Sequence, residues 1–256
     1  MKKAIVRRRF VVSKWKKTKA LLDSRAIALH IPETQTMTRA HLNEMLKKYG
    51  MVYVKPSTGT YGIGVMRIER ETGSGSTRYR FQAGTRIRSF TDYDAMYDAI
   101  KGLTGGRLYL AQKGIQLLKH QGRRFDLRVM VQLSPQGRWE TTGLIGRLAA
   151  ANKVVTNIHN GGTLYPVETL LSSHLSGEET GRLLQKLRRL GTSVARQLYR
   201  KYPGLKEIGL DVALDEQLHP WVLEVNTCPD PWIFRKLKDK RIFSRIYRYC
   251  KAYGRL

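Results

Sequence analysis

Two carboxylates set into apolar runs near the C-terminus constrain this chain more than any other feature. Ile208-Gly209-Leu210-Asp211-Val212-Ala213-Leu214 and Trp221-Val222-Leu223-Glu224-Val225-Asn226 read as two strands joined by a hairpin around Asp215 to Pro220. Folding about that turn sets Asp211 opposite Glu224. Asn226 lies two residues beyond Glu224, so both side chains leave one face of their strand. Two unpaired acids in an apolar ladder would repel each other and lose hydration. A hard divalent cation removes that cost. Oxygen-only ligands suit Mg²⁺, with Mn²⁺ as the alternative ion. The plainer reading is a hairpin whose acids face outward.

The rest of the composition sets bounds. The chain has 256 residues, 41% of them hydrophobic and 26% charged, with room for one large domain or two small ones. No apolar run approaches the roughly 20 residues that span a bilayer. The basic start, Met1 to Arg9, lacks an apolar signal core, which predicts an intracellular protein. Cys228 and Cys250 are too few for a disulfide framework and match no metal motif. The formal net charge is +27, and the excess gathers at the ends: Lys2 to Lys19 holds no acid, and Arg235 to Leu256 holds only Asp239. Such a surface attracts an anionic polymer, nucleic acid or an acidic protein, or else serves solubility alone. No zinc finger, RNA-binding aromatic signature or recognition-helix pattern accompanies it.

Periodicity predicts a helix over about 14–29, a helix capped by Thr38 and ending at Gly50, and a strand over 51–55. A strand at 63–68, a polar hairpin pair at 78–82 and 85–89, and a helix over 93–100 capped by Thr91 follow. Further strands are expected at 108–111, 125–133 and 139–148, the longest helix at 178–202, and a basic amphipathic helix at the end. This succession argues α+β without the regular alternation of a doubly wound sheet.

Several phrases carry chemistry. Between two strands, Lys55-Pro56-Ser57-Thr58-Gly59-Thr60-Tyr61-Gly62-Ile63-Gly64 is built of small residues that let backbone N–H groups approach phosphate, with Lys55 as a point charge. A Gly-rich hairpin without a ligand is the alternative. Leu108 to Ile115, with Gln112-Lys113-Gly114-Ile115 at its end, can offer backbone groups to a flat heterocycle or be an ordinary strand end. In Phe125-Asp126-Leu127-Arg128-Val129-Met130-Val131, Asp126 and Arg128 share a face, and Arg147 ends the next strand. Arg128 and Arg147 could clamp a terminal phosphate. Alternatively, Asp126 belongs to a structural Asp–Arg pair. Asn157, before the His159-Asn160-Gly161-Gly162 turn, adds an amide within range of a phosphate or metal.

In this order the phrases resemble the ATP-grasp superfamily. Phe125-Asp126-Leu127-Arg128-Val129 and Leu223-Glu224-Val225-Asn226-Thr227-Cys228-Pro229 look most like its YheC/YheD-type, endospore coat-associated branch. The resemblance covers roughly residues 13 to 235. It implies an ATP-grasp fold with two α+β lobes enclosing a nucleotide cleft. A short basic N-terminal segment (1–50) would precede a small lobe with lid and hinge (51–115) and a large lobe with the metal site and basic helix (116–256). By resemblance, Lys55 matches the α-phosphate lysine and Ser57, Gly59, Gly62 and Gly64 the lid. Gln112, Lys113 and Ile115 lie in the adenine hinge. Arg128, Arg147 and Asn157 match the phosphate side, and Asp211, Glu224 and Asn226 the Mg²⁺ ligands. Lys14 matches an earlier nucleotide lysine. By the same resemblance, the N-terminal domain that family ligases usually carry is expected to be absent or reduced here, and Gly114 stands where relatives often have an aromatic.

The expected function is an ATP- and Mg²⁺-dependent ligase joining an unidentified carboxylate to an amine or thiol through an acylphosphate. The alternative is a non-catalytic, nucleotide-binding, coat-associated protein with a polyanion-binding surface. The implied location is the cytoplasm or the spore.

Overall fold

The alternating runs at 125–133 and 139–148 form the longest ladder of the molecule. A computed structural model of the chain describes residues 9–73, 75–150 and 161–256. These fall into two units. One holds the described residues up to Ile31 with Leu117–Leu148 and Thr163–Leu256, and the other holds Pro32–Gln116 with the described residues of Ala149–Gly162. The N-terminal 50 residues are thus shared between the two, parting at Ile31.

The first unit is built on a sheet with strand order β10-β9-β8-β11-β12. Its strands are β8 (Arg123–Leu133), β9 (Trp139–Leu148), β10 (Thr163–Tyr165), β11 (Glu207–Leu214) and β12 (Pro220–Asn226), and the short β7 (Lys119–His120) pairs with β8. One face carries Leu127, Val129, Val131, Leu210, Val212, Val222 and Val225 into a core with Leu187, Val194 and Leu198 of helix α6 (Gly177–Lys201). Each such side chain contributes about 1.5–3 kcal/mol on burial. Ser176 and Glu179 close α6 with a reciprocal capping box. Helix α5 (Val167–Leu171) adds Leu170 and Leu171 to this core. The other face is apolar at one end only. There Met130 and Ile145 pack beneath Phe234 of a 3₁₀ helix (Trp232–Lys236) and Ile246 of helix α7 (Lys240–Ala252). The opposite end of that face is left for charged side chains.

The predicted helix over 14–29 is two, α1 (Lys14–Leu22) and α2 (Arg25–Ala28), because Ser24 takes an extended backbone between them. Ser13 caps α1, accepting from the Lys16 N–H at 3.2 Å. Ala20 and Leu21 of α1 enter the α6 core.

The second unit is a sheet of order β1-β6-β2-β3-β4-β5. Its strands are β1 (Thr34–Thr36), β2 (Met51–Pro56), β3 (Met66–Gly73), β4 (Ser76–Ala83), β5 (Arg86–Phe90) and β6 (Tyr109–Lys113). Helices α3 (Arg39–Tyr49) and α4 (Tyr93–Thr104) cover one face through Leu42, Met45, Leu46, Met96 and Ile100, packed on Val52, Val54, Ile68 and Phe81. Thr38 caps α3, as read from the sequence. Asp92, not Thr91, caps α4: it is the residue just before the first helical position, and its carboxylate accepts from the Ala95 N–H at 2.7 Å. Strand β3 begins at Met66, later than the expected 63, because Gly62 and Gly64 hold positive φ and Ile63 stays exposed.

Candidate functional site

In the first unit, the register of β11 sets Asp211 against Glu224 of β12 on one side and Arg128 of β8 on the other. Directly opposed residues share a sheet face. Asn226, opposite Gly209, follows Glu224 by two positions on that face. The pairing is not uniform along the hairpin. Val212 faces Val222 while Asp211 faces Glu224, so β12 contributes an extra residue, Leu223, at this point. That bulge delivers Glu224, rather than Leu223, to the carboxylate of Asp211.

Asp211 is held from two directions. Arg128 Nε donates to Oδ1 at 2.6 Å, and Arg147 Nη2 lies 3.1 Å from Oδ2. Arg147 also forms a fork with Asp126, through Nε at 2.8 Å and Nη2 at 2.5 Å. All four side chains are at most lightly exposed. Burial alone would raise the Asp211 pKa, but Arg128 and then Arg147 overcome it and hold the carboxyl below its usual range. Burial likewise works against the Arg147 charge, and Asp126 and Asp211 more than restore it. Glu224 pairs with Lys14 of α1, Nζ to Oε1 at 3.2 Å. One turn on, Lys17 is only 5% exposed. Burial lowers its pKa to about 8 against the pull of Glu224, with Lys14 lowering it further and Asp211 opposing. Three carboxylates therefore face four cations. Two carboxylates and an amide suit a hard divalent ion in donor type. Among the described residues, no group of three or more His, Cys, Asp or Glu side chains is gathered for a metal.

In the second unit, Lys55 lies near the end of β2, buried, and donates to Gln112 Oε1 at 2.8 Å. Gln112 Nε2 in turn donates to Thr34 Oγ1 at 2.9 Å, and Thr34 donates to the Pro32 carbonyl at 2.7 Å. The Gln112 amide thus positions the lysine. The backbone N–H groups of Lys113 and Gly114 donate to Glu33 and Met51 carbonyls, which fixes the strand end before Ile115. A Cβ at Gly114 would meet Met51 Cε at 2.6 Å and its carbonyl at 2.8 Å, so Met51 fills the space an aromatic would take. Ser57 anchors the loop through its N–H to the Leu108 carbonyl at 2.9 Å. Gly59, Gly62, Gly64 and even Tyr61 adopt positive φ, and Tyr61 and Ile63 are exposed at its tip. A Cβ at Gly64 would lie 2.6 Å from the Tyr109 hydroxyl.

A model of the YheC/D like ATP-grasp family matches residues 3–256. The chain belongs to that family. It is similar to two endospore coat-associated proteins of Bacillus subtilis (strain 168). It is 27% identical to YheD over 225 residues, covering 87% of this chain and 49% of YheD. It is 22% identical to YheC over 217 residues, covering 84% of this chain and 59% of YheC. The chain therefore spans about half the length of these relatives. Among solved structures, it resembles carboxyaminoimidazole ribonucleotide synthase from Aspergillus clavatus complexed with ATP. The TM-score is 0.52 at 14% identity, over 87% of this chain and 46% of that one. The likeness is one of fold: two antiparallel-stranded sheets with helices, the ATP-grasp architecture expected from the sequence.

In this YheC/D-like chain, Asp211, Glu224, Asn226, Arg128 and Arg147 fall within one unit and on one sheet face. Lys55, Ser57, Gly59, Gly62, Gly64, Gln112, Lys113 and Ile115 fall within the other. Asn157 lies outside the described residues. The Asp126–Arg147 fork is the structural pair weighed as an alternative for Asp126. Lys17 escaped sequence reading because it sits among Lys14, Lys16 and Lys19. The signal was available: Lys14, Lys17 and Leu21 recur at helical spacing, so both lysines share the inward face. Thr34 carried no signal, since β1 is three residues long. No helix is long and apolar enough to cross a membrane among the described residues.

Proposed function

We propose that this chain is an ATP- and Mg²⁺-dependent ligase that joins a carboxylate to an amine or thiol. The observation that carries this reading is the opposition of Asp211 and Glu224, with Asn226 beside them, on a sheet face lined by Arg128 and Arg147. Membership of the ATP-grasp family supports it.

The substrate carboxylate oxygen attacks the γ-phosphorus in line, and the bond to the β–γ bridging oxygen breaks to release ADP. The amine or thiol then adds to the acylphosphate carbon. Phosphate leaves with the bonding electrons, and the nucleophile loses its proton to solvent. When bound through Asp211, Glu224 and Asn226, with Mn²⁺ as an alternative, Mg²⁺ supplies charge neutralisation to the phosphates. Arg128 and Arg147 present fixed guanidinium charge to the transferring phosphoryl group, already oriented by their carboxylates. Asn157 is assigned to the same phosphate side. Lys55, steadied by Gln112, takes the α-phosphate, and the Ser57–Gly64 loop covers the triphosphate. The strand end around Lys113 and Ile115 receives adenine. The acid and the nucleophile are unidentified; spore association follows the two Bacillus relatives.

The charge balance makes the test specific. Four cations already face three carboxylates, so bare Mg²⁺ gains little, whereas Mg²⁺ with a triphosphate brings net negative charge. Thermal denaturation is expected to show stabilisation by ATP with Mg²⁺, about 2.7 kcal/mol at about 100 times Kd, and little by Mg²⁺ alone. Glu224→Gln is expected to lose most of it. Equal stabilisation of both proteins removes Glu224 from the metal shell. A second reading rests on one observation: both Asp211 oxygens are engaged by arginine and Glu224 by Lys14, as in a self-neutralised, non-catalytic network. Indifference of the wild type to ATP and Mg²⁺ favours it. ADP release that requires both a carboxylate and an amine favours the ligase.

A further inference from the structure

The basic C-terminal region has a feature that a linear motif search overlooks. Helix α7 buries Ile246, Tyr249 and Cys250, while Phe243 and Tyr247, one turn apart, are half-buried, with Phe243 still packed against that core. The preceding 3₁₀ helix lays Trp232 beside them. Its ring centre is 5.5 Å from Phe243 and 6.1 Å from Tyr247, and those two rings are 5.9 Å apart. Trp232 is 44% exposed although it is the largest side chain type. Cations frame the triad. The Arg235 guanidinium lies 5.8 Å from both the Trp232 and Phe243 rings, and Lys251 Nζ lies 5.0 Å from Tyr247. Exposed Lys240, Arg245 and Arg248 continue the positive surface along α7, while Asp239 is engaged by Arg241 at 2.9 Å.

We propose that the Trp232–Phe243–Tyr247 triad and its surrounding cations form a binding surface for a single-stranded polynucleotide. Charge complementarity selects a polyanion. The exposed Trp232 ring, with the half-buried Phe243 and Tyr247 beside it, then selects among polyanions, because unpaired bases present flat faces to stack on aromatics, and a duplex hides them. An acidic peptide uses the cations and leaves the rings idle. A membrane surface is disfavoured, since the apolar side of α7 that would enter it is already packed against Met130 and Ile145. The surface is built entirely from residues 232–251 and does not depend on the ligase reading.

The test is fluorescence anisotropy of a labelled oligothymidylate of roughly 12 nucleotides with the full chain. Saturable binding is expected to weaken steeply with added salt. Trp232→Ala is expected to weaken it about tenfold at fixed salt with little change in salt dependence, and Trp232→Phe to retain most of it. Arg235→Gln is expected to flatten the salt dependence by about one ion. Circular dichroism checks that the variants fold; if Trp232→Ala does not, Trp232→Leu replaces it, with the same loss expected. Glu224→Gln is expected to bind normally. Binding that polyglutamate or heparin displaces as well as unlabelled oligothymidylate does, with Trp232→Ala or Trp232→Leu unaffected, overturns the proposal in favour of charge alone. Absence of saturable binding near 0.1 M salt also overturns it.

Discussion

Lys17 shows how a single residue can oppose the stability of its own fold. It lies on the inward face of α1, and its burial lowers the ammonium pKa from the ordinary lysine value to about 8. A folded-state pKa below the unfolded one means the charged form is disfavoured by folding. The cost is full below about pH 8 and is relieved as pH rises from about 8 toward the ordinary lysine value. Lys17→Met is therefore expected to raise the stability of the ligand-free protein at pH 7, by about 1–3 kcal/mol, in denaturant unfolding. The wild type is expected to gain on the variant above pH 8. A variant that is less stable at pH 7 would show that the attraction of Glu224 and Asp211 outweighs burial. The same residue scale separates what sequence reveals from what it hides. Asp211 and Glu224 were legible because acids interrupt apolar alternation. The partners that neutralise them were less so: Arg128 and Arg147 were recognised as charges, but only the register shows Arg147 forked onto Asp126.

At the scale of elements, most strands and helices were legible because period-two and helical patterns are long, as in β8, β9 and α6. The pieces that escaped are short: β1, β7, β10 and the 3₁₀ helix have too few residues for a period to emerge. One junction deserves a test of its own because three elements meet there. After α2, His30 stacks on His219 of the β11–β12 turn, with ring centres 4.8 Å apart. His30 Nδ1 lies 2.9 Å from the Pro220 carbonyl, and His219 Nε2 lies 3.0 Å from the Leu29 carbonyl. Burial lowers the His30 pKa, opposed by the Pro220 carbonyl and reinforced by His219 and by Lys186 of α6. Because the folded pKa is the lower one, stability is present above the ordinary histidine range and is lost as pH falls through the folded value. Acidification from pH 7 to pH 5 is expected to lower the melting temperature, and His30→Gln to shrink that drop. An unchanged acid slope in the variant assigns the loss to other groups.

At the scale of the whole molecule, a net charge of +27 over 256 residues is a standing self-repulsion. Added salt screens it, with a Debye length near 10 Å at 0.1 M. The melting temperature is expected to rise between low and moderate salt, and more with phosphate than with chloride because polyvalent anions also bind basic clusters. A fall with salt would indicate that ion pairs such as Arg39 with Asp94 and Asp98 outweigh the repulsion. The fold class was readable at this scale, because the hairpins and helices do not alternate regularly. The first unit also takes in the described residues up to Ile31, far away in the chain, which no local pattern announces.

The irregular step in the second strand of the hairpin has a consequence of its own. Counted back from the turn, the pairing of Val212 with Val222 would bring Leu223, an aliphatic group, to Asp211. One surplus residue reverses the parity of everything after it, so Glu224 and the Asn226 amide owe their direction to an apolar neighbour with no chemistry. In this molecule an offset in counting decides whether an acid meets an acid.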